Sequence, residues 1–133
     1  MAAVLLDTHA WIWTLQASPR LSAAALEAVE RSEAVHVSPI SFFEIAQKVR
    51  IGKWPEMEDT VDELPDLLER QGGLVARMDD RICLDAGLME WEHRDPFDRL
   101  LAATAFSTGM TLVSADVVFD RLSGRPRWPG RIW

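Results

Sequence analysis

"AVHVSPISFFEIAQKVR", residues 34–50, changes its period halfway along. "AVHVS" is a short β-branched run. In "SFFEIAQKVR", Phe42, Ile45, Ala46 and Val49 recur at i, i+3, i+4 and i+7, one apolar face of a helix. A buried strand therefore feeds directly into a helix. The same alternation extends outward in both directions. "AAVLL" (2–6), "LVARM" (74–78) and "TLVSA" (111–115) are further strand candidates. "SAAALEAVER" (22–31), "DELPDLLERQGG" (62–73), "DDRICLDAGLMEWE" (79–92) and "DPFDRLLAATAFSTG" (95–109) read as helices. The Gly72–Gly73 pair and Gly109 supply C-terminal stops. Strands separated by helices imply crossover connections, so the expected architecture is a three-layer α/β/α sandwich around a mostly parallel sheet. With 133 residues and no repeat or linker, the expectation is a single domain over 1–133.

Composition narrows the class. Hydrophobic residues make up 48%, normal for a globular protein with a packed core. No apolar stretch approaches the roughly 20 residues that span a bilayer. "MAAVLLDT" lacks the basic start of a signal peptide, so a cytoplasmic protein without a membrane partner is expected. One cysteine, Cys83, excludes an internal disulfide, and it is expected to be a small buried residue. His9, His36 and His93 are far apart and fit no zinc spacing.

The net charge of −7 at first argues against a nucleic-acid partner, but its distribution does not. Seven of the 21 acids fall in "EMEDTVDELPDLLE", from Glu56 to Glu69, and without them acids and bases balance. The segment "RLSGRPRWPGRIW", from Arg121, has four arginines and no acid, and Lys48, Arg50 and Lys53 form another basic group. Solvated faces account for such runs more readily than a phosphate-binding strip does, and net charge alone decides nothing. Trp11 and Trp13, just past Asp7, are candidates for stacking nucleobases, for an interface with another chain, or for ordinary packing.

In open parallel sheets, ligands bind beyond the carboxyl ends of the strands, where strand order reverses. Four acids are expected at that rim. Asp7 ends the first strand and Asp116 follows the fourth. Glu44 is expected in the first turn of the helix after the second strand, and Asp98 in the first turn of the helix before the fourth. Each has a helix-start explanation. Ser41 and Glu44 fit a capping box, and "DPFD" fits Asp95 as N-cap with Pro96 at the first helical position. Capping does not explain four acids at one edge. Two unit charges about 5 Å apart repel by roughly 3 kcal/mol at an effective dielectric near 20. Such a group persists by holding protons or binding a cation, and oxygen-only donors favour Mg²⁺ or Mn²⁺. For Asp98, as for Glu44, the helix-start role and the cation-binding role both stay open here, while Asp95 fits the helix start better.

At these residues the chain resembles a PIN-domain ribonuclease, specifically a VapC-type toxin of type II toxin–antitoxin pairs. "LLDTHAWIW", "VSPISFFEIAQKVRIGKW", "HRDPFDRLLAATA" and "LVSADVVFD" match the family's four acid-bearing segments in order, over nearly the whole chain. The resemblance implies a Mg²⁺-dependent endoribonuclease, with Mn²⁺ a possible substitute. Its acidic site falls on Asp7, Glu44, Asp98 and Asp116. Asp7 and Asp98 would be direct metal ligands, and Glu44 and Asp116 would act through water or a second ion. Thr8, Ser41 and Ser114 are neighbouring hydroxyls that turn and cap roles explain equally well. The partners it implies are an RNA substrate, a VapB-type antitoxin that covers the site, and a second copy in a homodimer within a larger toxin–antitoxin complex. A phosphoacceptor signalling domain would need a lysine ending a late strand, and neither Lys48 nor Lys53 stands there. A non-catalytic binding module with a metal site is the other alternative.

Overall fold

The computed structural model describes residues 2–133. Five strands, β1 (Val4–Leu6), β2 (Val35–Val37), β3 (Leu74–Val75), β4 (Thr111–Val113) and β5 (Arg131–Ile132), form one sheet in the order β3-β2-β1-β4-β5. All four pairings are parallel. The helices are α1 (Thr8–Leu15), α2 (Ala23–Arg31), α3 (Pro39–Arg50), α4 (Leu64–Arg70), α5 (Asp80–Leu88) and α6 (Pro96–Thr108).

The three layers follow from the period-2 alternation of strand side chains. Val4 and Leu6 of β1, with Val37 and Val113, face a core completed by Trp11 and Ile12 of α1, Ala25 of α2, Ile45 of α3 and Leu68 of α4. Leu5 and its register partner Leu112 face the other way, against Leu101, Ala102 and Ala105 of α6. Ile82 and Ala86 of α5 then pack on Ala103. A central strand covered on both faces must be apolar throughout, and all of Val4–Leu6 is buried.

Helix ends follow local chemistry, with one change from expectation. The α3 N-cap is Ser38, whose hydroxyl accepts from the Ile40 N–H at 3.1 Å, and Pro39 occupies the first turn. The helix thus starts earlier than the Ser41 capping box implies. Glu44 sits in the second turn, and Ala46 is exposed rather than part of the apolar face. At α6 the expected arrangement holds: Asp95 Oδ1 accepts from the Phe97 N–H at 2.8 Å. Gly109 ends that helix at φ 73°, a left-handed conformation that glycine adopts without Cβ strain.

Two elements were not anticipated. "THAWIWTL" forms α1, capped by Asp7, and its apolar residues run too continuously to show a helical face. β5 lies in the arginine-rich segment, after Pro129–Gly130, as a two-residue edge strand. Cys83 is exposed on α5, which corrects the expectation of burial, because Ile82 and Ala86 take the inward face. No helix among the described residues is long and apolar enough to cross a membrane.

Candidate metal centre

The chain runs outward from β1 to β2 and β3, then returns to the other side of β1 to form β4 and β5. The connections leaving β1 and β4 therefore diverge, opening a crevice at their carboxyl ends. Asp7, Glu44, Asp98 and Asp116 all line this one cleft, which has a volume of about 490 Å³. Asp95 lines it as well. Asp116 is exposed, and the other three predicted acids are half-buried.

Each acid is anchored through a different element. The Asp7 N–H donates to the Val113 carbonyl at 3.0 Å, tying the end of β1 to β4. Its Oδ1 accepts from the Ala10 N–H at 2.8 Å. The Thr8 hydroxyl donates to the buried Ser41 hydroxyl at 2.9 Å, locking the start of α1 to α3. Ser41 is thus a cross-link and not a cap. Glu44 Oε2 is not in a capping box; it accepts from Lys48 Nζ at 2.8 Å, one helical turn on. Asp116 Oδ1 caps the 3-10 turn Val117–Leu122 through the Val118 N–H at 3.0 Å, and the Asp116 N–H donates to the Ser114 hydroxyl.

Asp98 Oδ2 lies 2.6 Å from His93 Nε2. The loop carrying His93 is held by Arg99, whose guanidinium donates to the carbonyls of Ala86 (2.8 Å), Trp91 (2.9 Å), His93 (2.8 Å) and Met89. Neither residue stands out in the sequence. His93 lies five positions before Asp98, outside any helical repeat. Arg99 was visible only as a cation at the head of an apolar run.

The electrostatics show how crowded the acids are. Burial pushes the Asp7 carboxyl above its ordinary value, and the Glu44 charge adds to that. The Ser114 hydroxyl, the Ala10 N–H and His9 oppose it. Asp98 is pushed up to about 6, chiefly by burial, with Asp95 and Asp116 adding and His93 opposing. Each half-buried aspartate thus feels another acid of the set. Glu44, Asp98 and Asp116 each keep one oxygen without a hydrogen bond to any described residue. An all-oxygen donor set with spare lone pairs and raised carboxyl pKa values suits a hard divalent cation. Ligand atoms of His93, Asp95 and Asp98 also lie within 4.8 Å of one another. There, one Asp95 oxygen, Oδ1, caps the α6 start and His93 Nε2 is taken by Asp98.

The basic residues divide differently from the sequence pattern. Lys48 lines the cleft, together with Arg20 from the loop after α1. The arginine-rich segment does not reach it. Arg131 instead holds Asp120 through two bonds and donates to the Ser114 carbonyl at 2.9 Å, while Arg121 pairs with Glu92. Trp11 is fully buried, donating to Gln71 at 2.9 Å, whereas Trp13 lines the cleft.

Fold and cleft together define a parallel α/β domain with an acid-lined crevice at its switch point. The PIN domain model matches residues 4–125, and the chain belongs to the PIN-domain family. It is 31% identical over 119 residues to Ribonuclease VapC22 of Mycobacterium tuberculosis, spanning 87% of this chain and 88% of that one. Among solved structures it resembles a chain of the Rickettsia felis VapBC2 complex bound to a promoter DNA fragment, with TM-score 0.66, 17% identity and full coverage of both chains. It also resembles a chain of VapBC-1 from nontypeable Haemophilus influenzae, with TM-score 0.61, 21% identity, and 92% and 93% coverage.

Proposed function

We propose that the chain is a Mg²⁺-dependent endoribonuclease, with Mn²⁺ a working substitute, and the toxin of a type II toxin–antitoxin pair. The observation that carries this reading is the convergence of Asp7, Glu44, Asp98 and Asp116, from four separate elements, on one cleft. Kinship with Ribonuclease VapC22 supports RNA as substrate. The fold shared with VapBC complexes supports a VapB-type antitoxin partner. A homodimer, a cytoplasmic location and a single domain over 1–133 belong to the same reading.

Asp7 and Asp98 are the primary ligands in this account, with Glu44 and Asp116 acting through water or on a second ion. Bound there, the ion supplies phosphate charge neutralisation and an activated water. The chain's own residues do the positioning. The Ala10 N–H fixes one Asp7 oxygen, His93 fixes one Asp98 oxygen, and Lys48 holds Glu44 while offering positive charge to a phosphate. Such outer partners orient ligands and tune their basicity. Lys48, on α3 and tied to Glu44, does not stand where a phosphoacceptor domain needs its lysine.

The test is cleavage of cellular RNA by the purified chain with Mg²⁺ or Mn²⁺, against a chelated control and Asp7→Asn. Cleavage only with metal, falling by more than about 100-fold in the variant, is expected; loss of even an outer partner of a metal ligand costs up to that much. Metal-independent cleavage, or an unaffected variant, contradicts the proposal.

A further inference from the structure

A second groove, of about 370 Å³, adjoins the acid cleft and shares His9, Trp13, Arg20 and Lys48 with it. It adds Lys53 and Trp54. Its floor is aromatic. The exposed His9 ring lies 5.6 Å from Trp13 and 5.2 Å from Trp54, centroid to centroid, and Lys48 Nζ sits 5.5 Å over the Trp54 ring. Its rim is basic, with Glu56 the one acid. Arg20 and Lys53 are exposed and have no ion-pair partner among the described residues. In a chain of net charge −7, unpaired cations around aromatic faces beside an acidic centre form a local inversion of charge.

We propose that this groove is a nucleotide subsite that seats unpaired nucleotides of a single-stranded RNA next to the bond being cut. The proposal rests on the ribonuclease reading and adds the residues that seat the strand beside the acids. Aromatic rings accept the face of an unstacked base, which duplex RNA does not present, while Arg20 and Lys53 take the flanking phosphates. Continuity of the two cavities through His9 and Trp13 lets one strand occupy both. The nearby acids repel phosphate, so cations beside them offset that repulsion where the strand enters.

The test is fluorescence anisotropy of a labelled eight-nucleotide single-stranded RNA with the full chain in EDTA, where binding is read without cleavage. The same strand annealed to its complement serves as the duplex probe. Trp13→Ala and His9→Ala are each expected to weaken Kd between about 5-fold and 100-fold, the range for losing one base–aromatic stack. The double variant Arg20→Glu/Lys53→Glu changes only exposed side chains, so it keeps the test valid if Trp13→Ala fails to fold. It should weaken binding and flatten the dependence of log K on log salt by about 0.7 per lost phosphate contact. With Mg²⁺, the same variants should raise KM and leave kcat near wild type. Wild-type Kd in all the variants, or duplex bound as tightly as single strand, overturns the subsite and leaves the groove to a polypeptide segment. RNA held through these residues but never cut with Mg²⁺ or Mn²⁺ refutes the nuclease reading while supporting the groove. Cleavage with unchanged KM in every variant refutes the groove alone.

Discussion

Replacing Asp98 with Asn should make the metal-free protein more stable, although it removes a hydrogen-bonded carboxylate. The Asp98 carboxyl is raised from 3.8 to about 6 by burial and by the charges of Asp95 and Asp116, with the His93 bond already counted against the rise. That displacement corresponds to about 3 kcal/mol disfavouring the charged form in the folded chain. Asparagine carries no charge and keeps a weaker bond to His93, which lowers the expected gain to about 1–3 kcal/mol at pH 7.5. At this chain length that is a Tm increase of roughly 4–10 °C. The sign sets the pH window. A folded-state pKa above the unfolded one gives stability that is full below about 4 and lost as pH rises through about 6. The gap between variant and wild type should therefore be small at pH 4, widen up to pH 6 and level off above it. Thermal unfolding from pH 4 to 8 in EDTA measures this. A variant that melts lower than wild type at pH 7.5, or a gap independent of pH, would refute the crowding argument.

Three further outcomes follow from the same contacts. His93→Ala should fold and cleave RNA about 10–100-fold more slowly, as for loss of an outer partner of a metal ligand, and a kinetic comparison under saturating Mg²⁺ checks it. Arg99→Ala leaves the carbonyls of Ala86, Met89, Trp91 and His93 without their donor. It should cost at least about 3 kcal/mol in denaturant unfolding, more than a single charged hydrogen bond is worth. Leu5→Ala opens a cavity between β1 and α6 and should cost about 2–5 kcal/mol by the same measurement, with no effect on metal binding.

Most of the fold was legible because strand and helix periods alternate cleanly between residues 34 and 50 and repeat along the chain. α1 was not, because the apolar residues of "THAWIWTL" run together from Ala10 to Trp13 and carry no amphipathic signal. β5 was not, because an edge strand of two residues, one of them arginine, owes its pairing to β4 and not to its own composition. The rim location of the four acids was legible from topology. Their anchoring was not, since the Thr8–Ser41, Glu44–Lys48 and Asp98–His93 contacts depend on how helices sit across the crevice. The Ser41 capping box shows the limit of local reading. Ser38 and Pro39 offer an equally good start one turn earlier, and burial of Ser41 against Thr8 decides between them. The arginine-rich segment was likewise ambiguous by composition, and its Arg131 proves to brace β5 against Asp120.

The central claim is that four acids distant in sequence act as one binding site for a divalent ion. Anomalous diffraction from crystals of the chain soaked in Mn²⁺ tests it most directly. The expected result is an ion held by Asp7 and Asp98, with Glu44 and Asp116 around it, and no such peak in Asp7→Asn crystals. A cleft that stays empty at millimolar Mn²⁺, or an ion bound instead by His93, Asp95 and Asp98, would contradict it.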